Sequence, residues 1–99
     1  MILYHATTPA KVRRYHETGC ILAPVRGWDT LTAALAWAAR TGRSVVLRID
    51  SADANAYPLP DHRSPLGRAH WIDSDVPEWE CMVSPERVHA AAAMQAREP

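Results

Sequence analysis

Ser44-Val45-Val46-Leu47-Arg48-Ile49 decides the fold. β-Branched and aliphatic residues dominate it, and its near-continuous apolarity predicts a strand buried on both faces at the centre of a sheet. Upstream, Asp29 or Thr30 can cap a helix whose buried stripe is Leu31, Ala34, Leu35 and Ala38, closed by Gly42. Further back, Thr8 and Pro9 form a helix start, Val12, Tyr15 and His16 share one face, and Gly19 ends that helix. Met1 to Tyr4 reads as an apolar opening strand, Cys20-Ile21-Leu22 as a short strand, and Pro24 to Gly27 as a loop.

Downstream, Asp50 to Gly67 carries Pro58, Pro60 and Pro65 among Asp, Ser and Asn residues, which predicts one long irregular segment. Ala69 to Ile72 and Trp79 to Val83 read as two further strands separated by turn residues. The tail fits a helix starting at Ser84-Pro85-Glu86-Arg87 and running through the alanines after His89, and equally a single turn followed by an edge strand. Without regular βα alternation after Asp50, the expected fold class is a small α+β domain. Its sheet is antiparallel-dominated, with five or six strands and two or three helices.

Composition narrows the function classes. Ninety-nine residues are one domain, 1–99, with room for one core. Eleven basic against eleven acidic side chains leave no net charge, so bulk electrostatics do not steer the chain to nucleic acid or an anionic membrane. Lys11, Arg13 and Arg14 form a local basic cluster that reads as a solvated helix face. The apolar run Leu31 to Ala39 is far short of a membrane span, and no signal peptide opens the chain, so the expectation is a soluble, cytoplasmic protein. Cys20 and Cys81 are expected as buried thiols rather than a disulfide pair. No zinc-type spacing, nucleophile elbow or glycine-rich phosphate loop is present, and no metal is expected.

Three features carry candidate chemistry. His5 lies on the first strand, where Leu3 and His5 share the face opposite Ile2 and Tyr4; it reads as a ligand-facing group or as a satisfied, half-buried histidine. Trp28-Asp29-Thr30-Leu31-Thr32 sets an aromatic and hydroxyls at the mouth of a helix, where capping alone would explain Thr30. Glu78-Trp79-Glu80 places two carboxylates two apart at the start of a strand, on one face, unless an edge position makes them bland.

In this order the features resemble the ADP-ribosyltransferase superfamily. Tyr4-His5-Ala6-Thr7 resembles that family's opening His-Gly-Thr segment, with Ala6 in place of glycine. Trp28 to Thr32 is similar to its aromatic-x-Ser-Thr-Ser element, and Glu78-Trp79-Glu80 to the paired-Glu motif of transferases that modify arginine. The resemblance implies a split antiparallel sheet that binds NAD as substrate. Glu80 would stabilise the oxocarbenium-like ribose as the nicotinamide bond breaks, and Glu78 would serve the acceptor, be it protein, nucleic acid or water. It implies further that His5 and Thr7 meet the ribose hydroxyls, that Trp28 stacks on nicotinamide, and that Thr30 joins this NAD-binding set. An inactive nucleotide- or protein-binding module of the same fold, and a plain structural domain, are the alternatives.

Overall fold

The computed structural model describes residues 1–52 and 54–83. The chain runs β1 (Ile2–Thr7), α1 (Pro9–Thr18), β2 (Val25–Trp28), α2 (Leu31–Thr41), β3 (Val45–Asp50), β4 (Ala56–Ser64), β5 (Gly67–Ile72) and β6 (Glu80–Val83). The strands form one antiparallel sheet in the order β4-β5-β2-β1-β3-β6. The α+β class and the antiparallel pairing match the sequence expectation. No described helix is long and apolar enough to cross a membrane.

Local chemistry explains the two described helices. The Thr8 hydroxyl accepts from the Lys11 amide, Pro9 opens the first turn of α1, and Gly19 closes it at φ 81°. Thr30 caps α2 by accepting from the Ala33 amide, and Gly42 ends that helix at φ 70°. Both glycines occupy the left-handed region that a side chain disfavours.

Period-two alternation then sorts the strand residues onto two faces. On one face, Tyr4, Ala6, Trp28, Val46 and Ala69 pack beneath Ala33, Ala34 and Ala38 of α2. On the other, Leu3, Val45, Leu47, Ile49 and Ile72 gather around Tyr15 of α1 with Ile21 and Val76. The sheet is therefore a middle layer, and β3 is buried on both sides as its sequence predicts.

Several expectations are corrected. β3 is interior, but β2 and β1 hold the centre of the sheet and β3 lies next to the edge strand β6. Cys20-Ile21-Leu22 is not a strand; only Ile21 makes a bridge, to Val76. The segment read as a loop, Pro24 to Gly27, instead enters β2 at Val25 and pairs with β5 from Val25↔Ile72 to Trp28↔Ala69. Gly27 suits that strand because a Cβ there would sit 3.0 Å from Leu3 Cβ and 3.2 Å from Ile72 Cδ1, so the strand packs against its neighbours through bare backbone. The segment expected to be irregular contains β4. Pro58 and Pro60 are accommodated because β4 is an edge strand, and its pairing with β5 shifts register between Pro58 and Arg63. The last described strand starts at Glu80 rather than Trp79. Cys20 is half-buried and Cys81 exposed, both free, so neither is the buried thiol expected. The choice between helix and strand for 85–97 lies outside the described residues.

The sheet is not divided into two, yet one junction within it is thin. β1 and β3 pair along six positions, from Ile2↔Asp50 to Thr7↔Val45, whereas β1 and β2 pair only at Tyr4↔Trp28. Beyond that pair the two strands part.

Candidate functional site

Where β1 and β2 part, a crevice of about 220 Å³ opens, lined by His5, Ala6, Lys11, Tyr15, Pro24, Val25, Arg26, Trp37, Arg43 and Trp71. A continuing ladder would set Ala6 opposite Arg26. Instead the His5 side chain spans the gap, and the Arg26 carbonyl accepts from its Nδ1 at 2.8 Å. A carbonyl cannot donate, so the proton resides on Nδ1 and the bare Nε2 accepts from the Tyr15 hydroxyl at 3.2 Å. The imidazole is neutral. Burial, and behind it the charges of Lys11 and Arg43, outweigh the bond to Arg26 and lower its pKa from 6.5 to about 4. His5 is thus a satisfied buried histidine that holds the crevice's inner wall in place.

The remaining walls are cationic and aromatic. Lys11 comes from the first turn of α1, Arg26 from β2, and Arg43 from the approach to β3. The Arg26 guanidinium lies 4.7 Å from the Trp37 ring centre, a cation–π contact that fixes its plane. Trp71 sits opposite Arg26 in the β2–β5 register and so projects to the same side of the sheet. Burial and the neighbouring Arg43 lower the Arg26 pKa, and its Nε is buried without a partner among the described residues.

Of the residues selected from sequence, only His5 lines this crevice. Thr7 shares its face but lies fully buried opposite Val45, its hydroxyl unpartnered among the described residues. Trp28 is buried beneath α2, with its ring 5.7 Å from that of Trp37, so it serves the core more than an open stacking wall. Thr30 is occupied twice: it caps α2, and its hydroxyl donates to the Leu66 carbonyl at 2.6 Å. Asp29 alongside accepts from the Arg68 amide at 2.8 Å, so this segment clamps the β4–β5 turn to the start of α2.

The two glutamates lie elsewhere. Registers align Trp28, Tyr4, Arg48 and Glu80 in one row across β2, β1, β3 and β6, on the α2 side and opposite His5. Trp28 and Glu80 are separated by three strand spacings, roughly 14 Å. Glu80 is exposed and meets Arg48 at 3.8 Å. Glu78 precedes β6, so strand alternation does not set it beside Glu80. It lines a separate hollow of about 480 Å³ with Arg48, Asp50, Asp75 and Trp79. His5, Trp28 and Glu80 therefore do not meet in one cleft.

Sequence reasoning read Lys11 as part of a solvated helix face and singled out none of Arg26, Trp37, Arg43 and Trp71. The one available signal was Trp37, a large aromatic on the flank of α2 outside its buried stripe. The others acquire meaning only from the β2-β1 adjacency. Compared with family models, curated proteins and solved structures, the chain finds no match in any of the three.

Proposed function

We propose that this chain is a nucleotide-binding module, an ADP-ribosyltransferase-like fold in its binding form, that takes NAD at the β1–β2 crevice. One observation carries the reading: where β1 parts from β2, cationic side chains and two half-buried indoles, Trp37 and Trp71, line the same opening. A nucleotide offers the complement of both, a planar base for the rings and negative charge for the cations. The opening motif Tyr4-His5-Ala6-Thr7 adds support by sequence, since the resemblance places NAD beside this strand.

Transfer of ADP-ribose would further require a carboxylate at the ribose. Glu80 lies on the edge strand β6, with β3 between it and β1, which is why binding is proposed ahead of catalysis. The test uses the whole chain: thermal unfolding with NAD titrated to millimolar, and nicotinamide release measured in parallel. At about 100 times its dissociation constant, NAD is expected to stabilise folding by ~2.7 kcal/mol with no nicotinamide formed. An unchanged midpoint with millimolar NAD overturns the reading, and steady nicotinamide release replaces it with the transferase.

A further inference from the structure

We infer that the crevice contains a diphosphate subsite, formed by Lys11, Arg26 and Arg43, which would hold the pyrophosphate bridge of the ligand in the nucleotide reading on which this inference rests. The argument starts from charge. These three cations line one opening of about 220 Å³, and none has a carboxylate partner among the described residues. The ion pairs found there, Met1 with Asp50 and Arg48 with Glu80, both lie elsewhere. Like charges brought together without a counter-charge repel, and the lowered pKa of Arg26 beside Arg43 has that repulsion as one of its causes. An anion with more than one negative charge relieves it.

Geometry narrows the choice of anion. Arg26 lines the crevice with its guanidinium held against Trp37. A guanidinium held in one plane is suited to a phosphate oxygen pair, which it can grip bidentately. Volume points the same way. About 220 Å³ is below the ~300–1,000 Å³ of sites that enclose a drug-sized ligand, so the crevice takes the compact, charged part of a dinucleotide. The bases would then lie outward, toward Trp37 and Trp71. His5 contributes no charge here, because both its ring nitrogens are committed to Arg26 and Tyr15.

The experiment measures binding of inorganic pyrophosphate, ADP, adenosine and NAD to the full chain by calorimetry, for wild type and for Lys11→Gln, Arg43→Gln and Arg26→Gln. Pyrophosphate is expected to bind and to compete with NAD, ADP to bind at least tenfold tighter than adenosine, and each substitution to weaken pyrophosphate at least tenfold. Lys11→Gln and Arg43→Gln keep the test decisive should Arg26→Gln fail to fold, since Arg26 also packs on Trp37. Adenosine binding as well as ADP, or pyrophosphate affinity unchanged in both of those variants, overturns the subsite. If pyrophosphate binds and NAD does not compete, the subsite stands and the NAD reading falls. If NAD binds equally to wild type, Lys11→Gln and Arg43→Gln, the NAD reading stands and the subsite falls.

Discussion

Acidification should destabilise this protein through His5, by an amount that its environment sets. In the folded chain the ring is neutral, donating from Nδ1 to the Arg26 carbonyl and accepting at Nε2 from Tyr15, with a pKa of about 4 against an ordinary 6.5. Between those two values the unfolded chain binds more protons than the folded one, so stability rises with pH across the window and is lost as pH falls from 6.5 toward 4. At ~1.4 kcal/mol per tenfold change in proton affinity, the full loss is on the order of 3 kcal/mol, with about 2.5 kcal/mol gone by pH 4.5. For a domain of this size that corresponds to a midpoint lower by roughly 10–20 °C.

His5→Asn supplies the reference, because its amide can still donate to Arg26 but does not titrate. Denaturant unfolding of both proteins at pH 7.5 and 4.5 isolates the His5 contribution by difference, since every group the two share cancels. Wild type is expected to lose its advantage over His5→Asn as pH falls. A difference constant within ~0.5 kcal/mol between the two pH values would mean that His5 does not sit neutral and buried across the seam.

Two further outcomes follow from the site description. Gly67→Ala drives a methyl to within 2.6 Å of Asp29 Oδ1 and Thr30 Oγ1 and 3.0 Å of Ala33 Cβ. Those oxygens are held by Arg68, Leu66 and Ala33 and yield only by giving up hydrogen bonds, so thermal unfolding should show a loss of roughly 2–4 kcal/mol; an unchanged midpoint would contradict the clamp. Glu80→Gln removes only an exposed partner of Arg48, so its melting midpoint should fall within a few degrees of wild type, and NAD affinity by calorimetry should stay within about twofold.

The parts of this fold that were readable in sequence are those whose cause is local. Thr8-Pro9, Gly19, Thr30 and Gly42 bound the helices by capping chemistry confined to one turn, and β3 announces itself by composition. Alternation along β1 likewise assigns His5 to the face of Leu3. β2 and β4 escaped because glycine and proline argue against strands unless the partner is known: Gly27 is explained by Leu3 and Ile72 pressing on it, and Pro58 and Pro60 by an edge position. The crevice escaped for the same reason. Lys11 looks like any solvated helix lysine until β1 and β2 are seen to diverge beside it, and Glu78-Trp79-Glu80 looks paired only while all three are assumed to be strand.

The strand order β4-β5-β2-β1-β3-β6 also bears on how the chain reaches its native state. Among the described strands only β4 and β5 form a hairpin between neighbours in sequence; β1 must find β3, β2 must find β5, and β3 must find β6, each across two or three intervening elements. Such pairings lose chain entropy in closing long loops before any contact rewards them, which places this small domain among slow, high-contact-order folders. Within the sheet, two three-stranded leaves, β4-β5-β2 and β1-β3-β6, then meet at the single pair Tyr4↔Trp28 and the reach of one imidazole, with the helix-side cores packed across both. Sequence positions far apart along the chain thus meet at a joint between the two leaves, so the crevice comes into existence only once β1 and β2 have come together.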